Sequence, residues 1–421
     1  MRRNILLGRD EDLSDNKGQR WKNMLLLAIG QKKMFKRPIP ALLHIAVYVG
    51  FIIINIEILE IFVDGMLGKH RFFAGLLGTD YSIIYSWLIG FFEILAAMVL
   101  VGCVIFLIRR NIIKVRRLNM KELIGWPRED ANIILITEII LMTLFLTMNT
   151  ADLVLQDQHA EHYLQTTPFW ITGNFKGLMS GLSIPTLIGI ERGCWWLHII
   201  GVFFFLNYLP YSKHFHVLLA FPNAYYSKLI PQGAIKNMPE IQNEVLYMME
   251  PDKAPAVPIA IGTEQEHKRF GAKDVTDLSW KNLLDAYSCT ECGRCTAMCP
   301  ANLTGKKLSP RKIMMDTRDR LEEVGRNINV NKTFKDDGKA LLNDYITIEE
   351  LRACTTCQAC VEACPVMIDP LSIIMQLRRN LVMEESNAPQ EWNLMFGNIE
   401  NNMAPWKFSP DDRDAWTNDV A

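Results

Sequence analysis

Net charge is almost absent from this chain. Its 45 Lys and Arg against 46 Asp and Glu leave −1 at neutral pH, so no global field points to nucleic acid or to acidic partners. No secretory leader is expected: residues 1–37 are rich in Lys and Arg, and their only apolar stretch, residues 24–29, is too short for the hydrophobic region of a signal peptide. Cysteine is scarce outside two short runs. Of 10 cysteines only Cys103 and Cys194 lie elsewhere, and their apolar surroundings mark them as small buried hydrophobes.

What is present is concentrated in those runs. Cys289, Cys292, Cys295 and Cys299 precede Pro300, and Cys354, Cys357, Cys360 and Cys364 precede Pro365, the second run repeating the first 65 residues later. Both read C-x2-C-x2-C-x3-C-P, the spacing that holds a [4Fe–4S] cluster. Three thiolates two residues apart wrap one cubane, while a Pro-stiffened fourth serves the other. The expected division is therefore Cys289, Cys292, Cys295 and Cys364 for one cluster, and Cys354, Cys357, Cys360 and Cys299 for the other. Zinc built from C-x2-C pairs has no use for a third regularly spaced cysteine and a following proline. Disulfides would need an oxidising compartment.

At 421 residues two or three domains are expected, and the two halves differ sharply. The first holds four apolar stretches long enough for a bilayer, near residues 39–63, 83–108, 132–153 and 195–219. Lys32, Lys33, Lys36 and Arg37 precede the first, and seven Lys and Arg between Arg109 and Arg128 separate the second from the third. The other two loops carry few. Both termini and the cysteine domain are then expected on the cytoplasmic side of a multi-pass inner membrane protein, in a reducing compartment. A re-entrant or interfacial helix over residues 169–190 is left open.

Histidines in such spans are costly and hence functional candidates. His44 lies near the cytoplasmic end of the first span. His198 and His216 fall in the expected fourth, 18 residues apart, which on one continuous helix is five turns, the same face, and about 27 Å along the axis. His216 then reaches the depth of His44, and a bis-histidine haem b between them is the sharp reading. The plain one makes His214 and His216 interfacial residues and His44 an interhelical hydrogen bonder. Glu57, Glu60, Glu93 and Glu138 also fall within spans and must pair or line a cavity; a proton path to a quinone and simple interhelical hydrogen bonds fit equally.

These residues resemble a known family. Leu42-Leu43-His44-Ile45, Trp196-Leu197-His198 and Pro210-Tyr211-Ser212-Lys213-His214-Phe215-His216 are similar to the cytochrome b subunit of respiratory nitrate reductase and its relative in membrane-bound heterodisulfide reductase. The resemblance implies haem ligation by His44, His198 and His216, but the position expected to partner His198 is Ile54. An outer haem would need His70, His159 or His162 instead. The second half, from Lys273 through both cysteine runs to Glu385, resembles the iron–sulfur subunit of heterodisulfide reductase and larger fused membrane oxidoreductases. Those continue into a module with adjacent cysteine pairs; no two cysteines are adjacent here, so that module is expected on a separate cysteine-rich subunit.

The expected fold is mainly α: a four-helix transmembrane bundle followed by a helical dicluster ferredoxin-like domain. The divisions are residues 1–37 as a cytoplasmic segment, 38–221 as the membrane domain, 222–265 as a juxtamembrane segment with a Pro-rich linker at 250–262, 266–385 as the dicluster domain, and 386–421 as a tail. Helices are expected at 279–287, 309–324 and 371–384, with a capping box at Thr347 and Glu350; residues 327–344 read as a polar surface insertion. Two [4Fe–4S] clusters, one haem b and a quinone are the implied cofactors. The implied function is electron transfer between a soluble cysteine-rich subunit or electron-transfer flavoprotein and the membrane, with lipid and quinone as further partners and no nucleic acid. Delivery of electrons to a disulfide reductase and redox sensing are the alternatives.

Overall fold

A computed structural model describes residues 1–77, 82–166, 169–231, 233–254, 269–407 and 409–420. Among them there is no strand, only isolated bridges joining Arg9 to Ser279 and Leu342 to Ile346. Four helices are long and apolar enough to cross a membrane: Pro38–Leu67, Ile83–Asn111, Trp126–Asp157 and Ile184–Tyr211. Pro at the first turn opens the first, third and fourth, where no intrahelical N–H is needed. Each packs on the next in chain order. Gly50 allows the first close contact, since a Cβ there would collide with Val99 Cγ2.

The fourth span departs from expectation. It begins at Ile184 and breaks at Leu209–Tyr211, a 3-10 turn holding Pro210, before a second turn at Lys213–Phe215 and a new helix at His216–Tyr225. Proline fixes φ and has no N–H, so the helical ladder cannot continue; Ser212 then accepts the His214 N–H at 3.2 Å. His198 and His216 are therefore on different helices, and the shared face and straight 27 Å separation do not hold. Residues 169–190 form no re-entrant helix either. They hold two 3-10 turns, Thr172–Asn174 and Lys176–Leu178, and then the start of the fourth span.

Three of the four buried span acids are paired among the described residues, and Glu138 is the exception. Glu57 takes Arg71, Glu60 takes the Tyr85 hydroxyl and the Phe73 N–H, and Glu93 takes Asn149, Thr172 and the Ile171 N–H. Arg71 also donates to Asn149 and Asp152.

The cysteine domain is a set of short helices around a separate core of Leu283, Ile313, Leu321, Leu341, Leu351 and Ile373. Trp280–Ser288 starts on the Ser279 cap, Pro310–Asn331 on Ser309, and Pro370–Arg379 on Asp369, continuing as a π-turn to Glu384. The capping box of Thr347 and Glu350 is present in full. The 327–344 stretch is only partly surface: the Pro310 helix extends to Asn331, and Leu341 and Leu342 enter the core. Of the linker expected at 250–262, residues from 255 onward lie outside the described ones.

Candidate functional site

The two cysteine runs adopt the same backbone. Helix Trp280–Ser288 delivers Cys289 and helix Arg294–Met298 carries Cys295; helix Ile348–Arg352 delivers Cys354 and helix Ala359–Ala363 carries Cys360. Between them φ turns positive at matching places: Glu291 (55°) and Gly293 (69°) in the first, Thr356 (56°) and Gln358 (60°) in the second. Three of these four are not glycine, so backbone strain is stored in both loops. The turns aim N–H groups at sulfur. Thr356 N donates to Cys354 Sγ at 3.4 Å, and Ile368 N to Cys364 Sγ at 3.3 Å.

The structure brings together the crossed sets. Cys289, Cys292, Cys295 and Cys364 line one small cavity closed by Arg311 and Met314. Cys299 lies within electrostatic reach of Cys354 and Cys360. Among the described residues no three His, Cys, Asp or Glu side chains converge closely enough for a single ion. The thiols of the first set instead surround a space, as a cubane requires and mononuclear zinc does not. Burial, reinforced by the neighbouring Cys292, pushes Cys289 up to about 11 and Cys364 up to about 12. Such thiols become thiolates at neutral pH only with positive charge among them, and the four-sulfur donor set fits an iron–sulfur group.

The first nest docks on the membrane half. Arg117, in the turn after the second span, donates to the Cys292 carbonyl and accepts from Arg311 through its own. Glu291 is buried between Lys213 and Arg318, the latter at 2.8 Å. Glu122 accepts from Ser309 and Arg311, both at 2.7 Å, and Asn223 donates to the Val366 carbonyl at 2.9 Å.

Beneath that junction lies a largely apolar cavity of about 240 Å³, with His44, His214 and His216 on one side and Thr290, Cys292 and Arg294 on the other. The His44 and His216 ring centroids are 6.4 Å apart. His44 Nδ1 donates to Gln31 Oε1 at 3.0 Å and His216 Nδ1 to the Lys213 carbonyl at 3.1 Å. Each Nε2 is left to act as a ligand, the usual arrangement for metal-binding histidine. Two imidazoles so arranged on one apolar cavity are a donor set that would suit a haem iron.

His198 stands apart. Its Nδ1 meets the Leu141 carbonyl at 3.0 Å, its Nε2 is buried without a partner, and Phe145 packs beside it. His70 is held by Asp152 and Tyr163, while His159 and His162 are outside this cavity, His162 with its ring in solvent. An outer bis-histidine site does not fit these residues.

Sequence reasoning named His214 only as an interfacial residue; it is half-buried against Phe51 and Phe205 and lines the cavity. That reasoning missed Gln31, Arg117 and Glu122, whose roles depend on segments distant in the chain. The only available signal was the density of histidine in Lys213-His214-Phe215-His216.

Residues 288–368 match the 4Fe-4S dicluster domain. Over 99% of its length the chain is 26% identical to a probable iron–sulfur-binding oxidoreductase, FadF, of Bacillus subtilis, covering 57% of that protein. It is also 26% identical over 96% of its length to the EtfAB:quinone oxidoreductase of Syntrophomonas wolfei, covering 54%. Over 25% of its length it is 35% identical to one subunit of the ferredoxin/F(420)H(2)-dependent CoB-CoM heterodisulfide reductase of Methanosarcina acetivorans, covering 53% of that polypeptide. The chain thus spans little more than half of these relatives. No solved structure matches it. It carries a 4Fe-4S dicluster domain behind four apolar helices, and its relatives are iron–sulfur electron-transfer oxidoreductases.

Proposed function

We propose that this chain conducts electrons between a soluble partner and the membrane through two [4Fe–4S] clusters. Cys289, Cys292, Cys295 and Cys364 hold the membrane-proximal cluster, and Cys299, Cys354, Cys357 and Cys360 the distal one. The clusters supply one-electron carriers whose potentials follow their hydrogen bonds and burial. Cys357 is exposed, which gives the distal nest an open face for a cysteine-rich or flavoprotein partner. Cys292 borders the membrane cavity that His44 and His216 share. That shared cavity is the observation that carries the proposal, because it offers a short route from cysteine nest to membrane interior. His44 and His216 would hold the iron of a haem b there, which would supply a further one-electron carrier. A quinone head is the other occupant this apolar cavity suits, with Arg117 and Arg294 holding positive charge beside it. Both termini and the cysteine domain face the cytoplasm. The electron-transfer flavoprotein named in the Syntrophomonas relative is the favoured donor class, with electrons running toward quinone.

The test is the dithionite-reduced minus air-oxidised optical spectrum of anaerobically purified protein, with iron and acid-labile sulfide counted on the same sample. Sharp b-type bands are expected, and they should vanish in His216→Ala while acid-labile sulfide stays at two clusters' worth. Bands that persist in His216→Ala would remove the haem from this cavity.

A further inference from the structure

The chain just before the first span has two unlike faces. Lys17–Met24 is an α-helix that continues as a π-turn over Leu25–Ile29. Its inner face is fixed in place. Arg20 is fully buried, pairs with Asp15, and donates to the Ser227 carbonyl at 3.0 Å, just past the end of helix His216–Tyr225. Leu27, Ala28, Gln31 and Met34 form one wall of the histidine cavity. The outer face is apolar and uncovered among the described residues. Trp21, Leu25 and Ile29 recur every fourth residue and are 54%, 49% and 47% exposed, with Leu26 exposed beside them. Scattered exposed apolar side chains are ordinary, but four gathered on one short segment form a patch that calls for a covering surface.

Depth decides what covers it. His44 Nδ1 donates to Gln31 Oε1 at 3.0 Å. His44 lies six residues past Pro38, where the first span begins, so Gln31 sits about 9 Å along that helix from its start. The patch ends at Ile29, two residues before Gln31. Ile39 and Leu42 of the first span are exposed in the same stretch, which makes the patch continuous with the apolar surface of the span. A water-soluble partner would have to displace lipid from the first span to reach it. Lys17, Lys22 and Lys32 flank the patch, exposed and without an ion pair among the described residues. Tryptophan and lysine around an apolar stripe suit an anionic membrane surface.

We propose that residues 17–29 lie in the bilayer surface as an interfacial helix, with Trp21, Leu25, Leu26 and Ile29 in lipid and the flanking lysines on headgroup phosphates. This part of residues 1–37 then leaves the aqueous phase, and a single layer of protein separates the histidine cavity from lipid. The proposal requires that the first span lies in a bilayer; it does not depend on a haem or a quinone in the cavity.

Benzoylphenylalanine is placed at Trp21, Leu25 or Leu26, one site at a time, in the full chain in nanodiscs of phosphatidylcholine and phosphatidylglycerol. Anaerobic irradiation is followed by mass spectrometry of the digested chain, and three sites are used so that one misfolded variant does not decide the result. Leu42 is the reference inside the first span, and Val330, exposed on helix Pro310–Asn331 of the cysteine domain, is the reference outside it. Lipid adducts are expected at Leu25 and Leu26 in yields similar to Leu42 and about tenfold above Val330. Adducts at Leu42 with only the Val330 level at Trp21, Leu25 and Leu26 would overturn the proposal, as would adducts there to a polypeptide in place of lipid. Loss of the Leu42 adducts as well would strike the first span's place in the bilayer and the proposal with it.

Discussion

Cys292 and Cys357 occupy the same place in two copies of one motif, on the same backbone, yet their surroundings are opposite. Cys292 is held at a junction by Arg117 and borders the membrane cavity; Cys357 is exposed. The neighbouring positions diverge in step. Glu291 is buried between two cations, whereas its counterpart Thr356 is only half-buried and makes no ion pair. Gly293 is pressed so close to Arg117 that a Cβ would lie 2.8 Å from its carbonyl oxygen, whereas Gln358 reaches out to Gly233 N at 3.1 Å. Spacing alone makes two equivalent nests. Docking makes one an inner station and the other an outer one, giving the proposed conduit a direction in space.

The largest effect is expected from the cysteines themselves. Cys292→Ser and Cys357→Ser should each lower acid-labile sulfide from about eight to about four per chain. Cys292→Ser alone should also cut quinone reduction about a hundredfold with the distal nest still reducible, a loss of roughly 3 kcal/mol in barrier terms. Equal loss of both clusters in either variant, by iron analysis and electron paramagnetic resonance, would erase the distinction between the nests.

Glu291→Gln comes next. It leaves Lys213 and Arg318 buried beside a neutral group, which costs about 3–5 kcal/mol when a buried pair is broken. Thr356→Val at the matching half-buried place, where no ion pair is broken, should stay within about 0.5 kcal/mol. Thermal inactivation midpoints compare the two directly, and similar shifts would mean the docking contact contributes little.

A smaller contrast tests the strained turns. Gly293→Ala forces a side chain to positive φ and into the Arg117 carbonyl, a cost of about 1–3 kcal/mol, and should loosen the junction to limited proteolysis. Gln358→Gly relieves the same backbone angle without a clash, so its stability should be unchanged or slightly higher. A neutral Gly293→Ala would show that the close approach is not required.

The least effect is a pH dependence confined to the inner nest. Burial would raise the Glu122 pKa, but Ser309 and then Arg311 outweigh it and hold the carboxyl below its usual 4.5. A depressed folded value means the contact is fully present above that usual value and is lost as pH falls through the depressed one. Acid stability of wild type should therefore fall more steeply than that of Glu122→Gln in that window. Parallel curves would remove Glu122 from the junction.

Much of this was readable from local pattern. The cysteine spacing, the Ser279, Ser309 and Thr347 caps, and the apolar runs are signals that act within a few residues, and they placed both loops and the first three spans. Failure came where the answer depended on something distant. Pro210 was visible, but the apolar run across it suggested a helix continuing to residue 219, and the proline's missing N–H prevailed. His214 looked interfacial because nothing nearby shows that Phe51, from the first span, would cover it. Glu57 was recognised as needing a partner; that its partner is Arg71, with one oxygen left over, follows from how the loop after the first span folds back.

The order of residues alone sets the donor chemistry: eight thiols at cluster spacing, and spans whose apolar length leaves them no stable place in water. These follow from the reach of a few backbone bonds and from transfer of side chains out of water, both local properties. Folding in three dimensions was needed to bring Cys364 to the first three cysteines and to seat the first nest, not the second, over the histidine cavity. Those outcomes rest on contacts between residues tens to hundreds of positions apart, such as Arg117 with Cys292 and Lys213 with Glu291, and no local pattern specifies which of two identical motifs is seated on the membrane half.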